Sequence, residues 1–261
     1  MTNRSFFDQL GSQVSFTYPP ERIVSLVPSQ TELLADLGLD RQVVGITKFC
    51  VHPTGWLRTK IIVGGTKNFQ FDVIDDLKPD LIIGNKEENY LEGITRLKQK
   101  YPVWLSDIVT LPDAYSMITA LGELTNTKIK AHLIRDQIAE RLQSVKKRSA
   151  NSVLYLIWRN PWMAAGSDTF INSMLTMLNL KNTLENVTRY PQLSMEQIAD
   201  LRPDFIFLSS EPYPFREKHL DELKKISPSS KVMLVDGEMF SWYGSRLLKA
   251  ADYFNRLSLE G

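Results

Sequence analysis

The sequence predicts an α/β fold with two lobes, in which each lobe has a mostly parallel sheet flanked by helices and one long helix joins the lobes. Short apolar runs alternate with segments of helical periodicity along most of the 261 residues. A central stretch has no strand pattern, and a similar twelve-residue pattern lies on each side of it. A chain of this length is enough for one large domain or two smaller lobes, and the repeated pattern favours two.

The predicted strands are short runs rich in Val, Ile and Leu, without alternating polar residues. Such runs are typical of strands that are buried on both faces, as in parallel sheets. They occupy residues 23–27, 44–46, 61–63, 81–83 and 103–105 in the first half and residues 153–158, 205–208 and 232–235 in the second.

The segments between these strands have helical periodicity. Strands that alternate with helices predict right-handed crossovers, which place helices on the faces of the sheet. The predicted helices occupy residues 29–37, 72–77, 88–100, 169–178, 194–201 and 245–257.

Residues 112 to about 148 have no strand pattern, and their apolar residues recur at helical spacing. A break is expected near residues 123–127, and residues 127–147 alone would form about 30 Å of helix. We expect this helix to join the lobes, with the basic run 146–148 at its C-terminal end, where cations favour the helix dipole. A nucleic-acid patch is the alternative for that run. The predicted organisation is an extension (1–21), an N-terminal lobe (22–111), a connecting segment (112–150) and a C-terminal lobe (151–261).

The repeat supports this division. Residues 72–83, DVIDDLKPDLII, align without a gap on residues 196–207, EQIADLRPDFIF. Each copy begins with an acid, which favours a helix N-terminus, and each has a proline that ends the helix before an apolar strand. The repeat therefore predicts two equivalent α/β lobes.

Composition excludes several classes of protein. Lys and Arg number 31 and Asp and Glu 30, so the chain lacks the basic excess of a duplex-binding protein, and we expect no nucleic-acid partner. The single cysteine, Cys50, excludes an intrachain disulfide framework. Apolar runs are too short to span a bilayer, so the chain is not expected to be membrane-embedded. Residues 1–16 lack the apolar region of a signal peptide, so we expect either a cytoplasmic protein or an export signal outside this chain.

A binding site is expected where the strands end, because ligands of parallel α/β sheets lie at the carboxyl ends of strands and in clefts between lobes. Aromatic and polar side chains concentrate in the loops there, which favours a flat or bulky ligand. We expect Phe49, Trp162 and Trp242 to face one cavity between the lobes and Trp162→Ala to leave the fold largely intact. A small aromatic core beneath the loops is the alternative. The candidates in or next to these loops are Phe49, Cys50, His52, Asn85, Tyr90, Trp158, Trp162, Phe240, Trp242 and Tyr243.

Cys50 and His52 are candidate metal ligands, since thiolate and imidazole suit soft or borderline ions. Two ligands at this spacing do not make a complete site, and a buried structural cysteine beside a turn histidine is the alternative. Catalytic motifs are absent from the sequence, and the other histidines, His132 and His219, fall in the long helix and in a predicted surface helix without nearby catalytic partners. We therefore predict no catalytic residues and a protein that is not an enzyme.

Several strings together resemble a known family. RIVSLVPSQTELLADLGL (22–39), VVGITKFCVHP (43–53), LKPDLIIG (77–84) and YPQLSMEQIADLRPD (190–204) are similar to its characteristic strings. The family is that of the class III, helical-backbone solute-binding proteins of ABC importers for iron chelates and cobalamin, and the likeness is greatest to its cobalamin-binding members. It extends from Arg22 onwards, over about nine-tenths of the chain.

The resemblance implies roles for particular residues. Asp72 and Glu196, the first residues of the repeat, would dock one on each lobe with arginines of a permease dimer. Ligand contacts would come from Phe49, from the neighbourhood of Asn85, from Trp158 to Trp162, and from Glu238, Phe240 and Trp242. The family's aromatic residue after the third strand is replaced here by Asn85 or a neighbour.

We therefore predict a monomeric protein that captures a metal chelate or tetrapyrrole-like ligand in the cleft between its lobes for an ABC importer. The ligand would be cobalamin, haem or a ferric chelate, and no cofactor is obligatory. The resemblance implies a periplasmic or cell-surface location. The alternatives are a cytoplasmic protein of the same fold, either a tetrapyrrole-modifying enzyme or a metal-handling factor, and an interaction module without a ligand.

Overall fold

The computed structural model describes residues 2–259, and the chain divides into two compact units. The first contains the described residues up to Ile108, together with Pro112–Ala139 and Tyr243–Arg246. The second contains Val109–Leu111, Glu140–Trp242 and the described residues from Leu247 onwards. Each unit has a sheet with parallel strands and flanking helices, which confirms the α/β class.

The first unit contains the strands β1 to β9 and most of the two longest helices, α5 and α6. Residues 140–143, at the end of the last of these helices, are in the second unit. The elements are β1 (Thr2–Phe7), β2 (Gln13–Tyr18), β3 (Ile23–Ser25), α1 (Pro28–Asp36), β4 (Val43–Ile46), α2 (Trp56–Thr59), β5 (Ile61–Ile62), β6 (Gly64–Gly65), β7 (Asn68–Phe69), α3 (Phe71–Leu77), β8 (Leu81–Asn85), α4 (Leu91–Lys98), β9 (Val103–Ser106), α5 (Leu111–Leu124) and α6 (Lys128–Gln143).

The main sheet of the first unit has the order β5-β4-β3-β8-β9, and all of its strand pairs are parallel. Its apolar side chains, among them Val24, Ile82 and Leu105, pack with Ile74 of α3 and Ile94 of α4. This burial on the sheet faces explains why the strand sequences have no polar alternation. All the carboxyl ends of the strands therefore lie at one edge of the sheet.

The second unit is built on a mixed sheet. Its elements are β10 (Ser152–Trp158), β11 (Trp162–Ala164), α7 (Phe170–Met177), β12 (Lys181–Asn182), β13 (Gln192–Leu193), α8 (Met195–Leu201), β14 (Phe205–Ser209), α9 (Glu217–Ile226), β15 (Lys231–Val235), α10 (Gly237–Ser241) and α11 (Leu247–Arg256).

The order of this sheet is β13-β11-β10-β14-β15, and β12 pairs with β10. Strands β10, β12, β14 and β15 are parallel, whereas β11 runs antiparallel to both of its neighbours. The expectation of mostly parallel sheets is confirmed for the strands that the sequence predicted. The antiparallel edge was not predicted.

The sequence repeat has a structural counterpart. The helices α3 and α8 both end on a basic residue in the left-handed conformation, Lys78 with φ 46° and Arg202 with φ 42°. The Asp80 carboxylate then accepts hydrogen bonds from the amides of Glu21 and Arg22 at 2.7 and 2.9 Å. The equivalent Asp204 accepts them from the amide and hydroxyl of Ser152. Each aspartate thus ties its own helix–strand unit to the start of the neighbouring strand.

The N-terminal extension forms a hairpin that the sequence did not predict. β1 and β2 pair antiparallel, with Ser5 opposite Ser15. The rings of Phe6 and Phe16 stack at 5.3 Å, and Trp104 Nε1 of β9 donates to the carbonyl oxygen of Phe7. Most of β1 is exposed, so its sequence has no core-facing alternation that would identify a strand.

Two predicted helix boundaries differ from the structure by three residues or more. α4 begins at Leu91 rather than at residue 88, because the Asn85 side chain accepts the amides of Glu87 and Glu88 and holds a turn there. α6 ends at Gln143, so the basic run 146–148 lies beyond the helix and not on its last turn. The predicted break before α6 is confirmed, and Asn126 in it has a φ of 59°. No strand lies between Leu111 and Arg148.

Candidate functional site

In the first unit, the loop after β4 presents an aromatic ring to solvent. Phe49 is 50% exposed, and the Lys48 ammonium lies 5.1 Å from the centroid of its ring. A Cβ atom at Gly65 would lie 3.2 Å from Phe49 Cε2, so the ring rests on backbone that has no side chain. Phe49 therefore has an open aromatic surface at a strand end, and its contact with a ligand stays a prediction.

Cys50 has the surroundings of a structural thiol. Its side chain is fully buried, and its sulfur lies 3.1 Å from Thr31 Oγ1 and 3.2 Å from Thr47 Oγ1. Burial is the main cause that raises the pKa of the thiol, so the neutral form predominates at pH 7. His52 is half-buried. Among residues 2–259, no three or more His, Cys, Asp or Glu side chains are grouped to hold a metal ion, and metal ligation by Cys50 and His52 stays a prediction.

Asn85 uses its side chain within the protein. It is buried at the end of β8, and its Nδ2 donates to Ser106 Oγ at 2.9 Å. Its Oδ1 accepts the amides of Glu87 and Glu88, so both ends of the amide are occupied. This arrangement shapes the loop that follows β8. The expectation was a ligand contact near Asn85, and the loop atoms beside it remain candidates.

In the second unit, the two tryptophans of the segment after β10 differ in exposure. Trp158 is 39% exposed and packs edge-to-face on Tyr213, with ring centroids 5.6 Å apart. Trp162 is only 7% exposed and stacks on Phe215 with an interplanar angle of 2°. Residues 159–166 are not a loop as expected, because Trp162 begins β11 and belongs to the core of this unit. The expectation that Trp162→Ala leaves the fold intact is inconsistent with this burial.

The segment after β15 is also more regular than the sequence suggested. Residues 237–241 form α10, and the carboxylate of Asp236 caps it by accepting the amide of Glu238. Phe240 is fully buried among aromatic rings that include Tyr155 and Phe254, whereas Glu238 is half-buried. Trp242 is 6% exposed and donates from Nε1 to Glu211 Oε1 at 3.0 Å.

Sequence reasoning missed Glu211 and Tyr213. Both lie in the loop after β14, a carboxyl-end loop of the second unit in which the sequence analysis named no candidate. The signal was available, because the apolar run 205–208 predicted that strand and the same rule places binding residues after it.

The environment of His219 was also not predicted. The histidine is buried at the start of α9, where its Nδ1 accepts the amide of Arg216 at 2.9 Å. Its Nε2 lies 3.3 Å from the hydroxyl of Tyr213. His219 therefore caps the helix and packs in the aromatic cluster, rather than lying on an exposed helix surface.

The two predicted docking acids are exposed, and each unit contains one. Asp72 lies in the first turn of α3, beside a groove of about 420 Å³. In this groove the Arg96 guanidinium lies over the ring of Phe71, with its Cζ atom 3.8 Å from the ring centroid. Glu196 lies in the first turn of α8, where a hydrogen bond with the Ser194 hydroxyl lowers the pKa of its carboxyl. Neither acid forms an ion pair with another described residue.

Comparison with known proteins identifies the family. Residues 23–228 match the family model described as periplasmic binding protein, which is most of the chain. This chain therefore belongs to the periplasmic binding protein family. Within residues 2–259, no helix is both long enough and apolar enough to cross a bilayer.

Individual proteins resemble the chain over most of its length. The uncharacterized ABC transporter substrate-binding lipoprotein YvrC of Bacillus subtilis is 26% identical over 259 residues, which cover 94% of this chain and 82% of that protein. The crystal structure of the periplasmic vitamin B12 binding protein BtuF of Vibrio cholerae has a TM-score of 0.77 at 21% identity, covering 91% of this chain and 96% of that one. The periplasmic heme-binding protein RhuT of Roseiflexus sp. RS-1 has a TM-score of 0.77 at 20% identity, covering 90% and 98%. The two structures share the fold of this chain.

Each unit thus places predicted site residues after its parallel strands. Phe49, Cys50, His52 and Asn85 are in the first unit, and Trp158, Trp162, Glu238, Phe240 and Trp242 are in the second. Contact of any of them with one shared ligand stays a prediction.

Proposed function

We propose that this chain is a solute-binding protein that captures a metal chelate or tetrapyrrole, such as cobalamin or haem, and delivers it to an ABC importer. The observation that carries the proposal is its membership of the periplasmic binding protein family over residues 23–228. A transporter lipoprotein, a vitamin B12 binding protein and a heme-binding protein are among the proteins it resembles.

The chemistry of the strand ends supports a large planar ligand. Phe49 and Trp158 each expose a substantial part of an aromatic ring at the carboxyl end of a parallel strand, 50% and 39% respectively. Exposed aromatic side chains bind flat apolar surfaces well, because they bury a large area at a small entropic cost. A corrin or porphyrin macrocycle offers such a surface.

A ligand panel tests this proposal. The purified chain is titrated with cyanocobalamin, haemin and a ferric siderophore, and binding is followed by absorbance and by thermal unfolding. A true ligand at 100 times its dissociation constant should stabilise the fold by about 2.7 kcal/mol. Phe49→Ala and Trp158→Ala should weaken the binding, whereas Leu91→Ala, a change at another exposed apolar residue, is the matched control. Failure of every chelate to bind or stabilise the wild type contradicts the proposal.

We also propose that Asp72 and Glu196 dock the protein on its permease dimer. Support comes from their exposure, their lack of ion pairs within residues 2–259, and their equivalent positions in the repeat. Exposed charges of this kind chiefly steer association and set the register of the partner. The capping role of acids at helix N-termini is the structural alternative, and it contributes about 0.3–1 kcal/mol per acid.

The repeat supplies a matched control for docking. Asp76 and Asp200 are a second pair of exposed acids at equivalent positions on α3 and α8. The wild-type protein should stimulate the ATPase activity of the reconstituted permease, and Asp72→Ala and Glu196→Ala should each reduce this stimulation. The stimulation should also become less sensitive to salt. The affinity for the ligand should not change. Asp76→Ala and Asp200→Ala should have little effect. Equal losses in both pairs would contradict a specific docking role.

The proposed role requires a location outside the cytoplasmic membrane. The relative from Bacillus subtilis named above is described as a substrate-binding lipoprotein, which supports this requirement. Fractionation of cells that express the complete native gene tests this point, and recovery in the cytosol alone would argue against delivery to an importer.

A further inference from the structure

The buried imidazole at the start of α9 lies between a donor and an acceptor of one residue. His219 is 3% exposed, and its Nδ1 atom lies 2.9 Å from the amide nitrogen and 3.1 Å from the carbonyl oxygen of Arg216. A neutral ring accepts the amide hydrogen at Nδ1, whereas an imidazolium carries a proton there and can only donate to the carbonyl oxygen. Protonation therefore decides which backbone group the side chain holds.

The first turn of α9 depends on the neutral ring. The carbonyl oxygen of Arg216 already accepts the amide of His219 at 2.9 Å, whereas the Arg216 amide has the imidazole as its acceptor, in the manner of a capping box. A proton on Nδ1 removes that acceptor and places two donors face to face. The partial positive charge of the helix N-terminus opposes an imidazolium as well. Glu217 in the same turn is exposed, so its charge is screened by solvent.

The other groups around the ring do not compensate a positive charge on it. Nε2 lies 3.3 Å from the hydroxyl of Tyr213, which also interacts with the cationic Arg159 guanidinium. Glu222, further along α9, is bound to Arg159 by two hydrogen bonds of 2.9 and 3.0 Å. The rings of Tyr213 and Phe215 pack edge-to-face on the imidazole, with centroids 5.5 and 5.4 Å away. A proton on His219 is therefore buried among aromatic rings beside a carboxylate that is already paired.

We propose that His219 is a proton-dependent latch, in which the neutral ring holds Arg216 and the first turn of α9 and protonation releases them. The latch is closed at a pH above the range in which histidine titrates, and it opens as the pH falls through that range. This inference does not depend on the proposed function, because it concerns the second unit alone.

The latch controls a short stretch of the second unit. The ring of Tyr213 packs on the exposed indole of Trp158, and the Tyr213 amide reaches the carbonyl oxygen of Ile157 only at 3.4 Å. Glu211, which precedes this stretch, is bound to Trp242 by a hydrogen bond that does not involve His219. Protonation therefore loosens residues 213–219 and increases the exposed area of Trp158, while Glu211 and α10 keep their positions.

A pH titration of the whole chain by NMR tests the latch. Backbone amide and histidine ring signals are followed between pH 8 and pH 5, together with the hydrogen exchange of the Arg216 amide. His219→Gln is the main variant, because glutamine supplies the acceptor of a capping box and takes up no proton in this range. His132→Gln, which removes the histidine of α6, is the matched control.

In the wild type, the amide signals of residues 213–219 should shift with the midpoint of the His219 ring. The protection factor of the Arg216 amide should fall about tenfold, as expected for the loss of one hydrogen bond. His219→Gln should abolish both changes, and His132→Gln should keep them. A ring that titrates without these changes, or one that stays neutral until the whole chain unfolds, overturns the inference. Changes that persist in His219→Gln also overturn it, and the wild-type titration decides the point alone if that variant does not fold.

Discussion

At the residue scale, two aspartates show how a short motif acts in the fold. Asp80 and Asp204 follow the prolines of the two repeat copies, and each accepts two hydrogen bonds at the start of an adjacent strand. The donors to Asp80 precede β3, and the donor residue of Asp204, Ser152, is the first residue of β10. The proline ends the helix, and the aspartate then fixes where the next strand begins. The motif therefore has a structural role in both units.

Asp204→Ala should destabilise the protein by about 1 kcal/mol at pH 7, a small value because the carboxylate is exposed to solvent. Its hydrogen bonds with Ser152 lower the pKa of the Asp204 carboxyl from its usual value. The stabilisation is therefore fully present above the unfolded pKa and is lost as the pH falls through the folded pKa. Urea unfolding at pH 7 and at pH 3 checks this, with Asp200→Ala as the control. If the difference in unfolding free energy between wild type and Asp204→Ala were larger at pH 3 than at pH 7, this prediction would be wrong.

The burial of Cys50 leads to a prediction about reactivity. Because the thiol is buried and its pKa is raised, it should not react with Ellman's reagent at pH 8 in the folded protein. One thiol per chain should react in 6 M guanidinium chloride, since the sequence contains a single cysteine. Rapid labelling of the folded protein would show an accessible thiolate and would favour metal ligation by Cys50 and His52.

At the scale of elements, a four-residue segment from the C-terminal part of the chain packs on α1 in the first unit. Arg246 Nε donates to Glu32 Oε2 at 2.8 Å, and Ser245 donates to Asp36. The Tyr243 hydroxyl donates to Glu88 at 2.5 Å. A Cβ atom at Gly244 would lie 2.6 Å from the carbonyl oxygen of Ser29, which explains the glycine at this close approach. Polar contacts of three side chains therefore help to hold residues 243–246 in the first unit.

Arg246→Met should destabilise the protein by about 3–5 kcal/mol, because it leaves the Glu32 carboxylate buried without its cation. The side chains of this pair are only 6% and 8% exposed. Arg141→Met is the control, since it breaks the exposed Arg141–Asp252 pair and should cost no more than about 1 kcal/mol. Denaturant titration of both variants decides the point. Equal effects would show that burial of the Arg246 pair has no energetic consequence.

At the scale of the whole molecule, the aromatic residues divide into exposed surface and core. Phe49 and Trp158 keep solvent-exposed rings, whereas Trp162 and Phe240 pack in the interior of the second unit. The sequence offered these residues together as possible ligand contacts, with an aromatic core as the alternative. Exposure favours the first pair for direct recognition and the second pair for holding the fold.

Trp162→Ala should destabilise the protein by about 3–5 kcal/mol, because it opens a cavity beside Phe215. Trp158→Ala should lower the free energy of unfolding by only about 1 kcal/mol, the value of its edge-to-face contact with Tyr213. It should weaken chelate binding more than Trp162→Ala does. Thermal unfolding and titration with cyanocobalamin and haemin measure both effects. Loss of binding without loss of stability in the Trp162 variant would contradict this assignment.

The sequence by itself determined the fold class, most strands and helices, the repeat and the family. These features depend on local periodicity, turn residues and short strings, which act over a few residues. Only the tertiary structure showed that Trp162 is a core residue, that Asn85 shapes its own loop, and that His219 is buried. It also showed the contact between Trp242 and Glu211, which lie 31 residues apart, and that between Tyr243 and Glu88, 155 residues apart. Burial and hydrogen bonding of a side chain depend on which distant segment packs against it, and neighbouring residues in the sequence do not specify that segment.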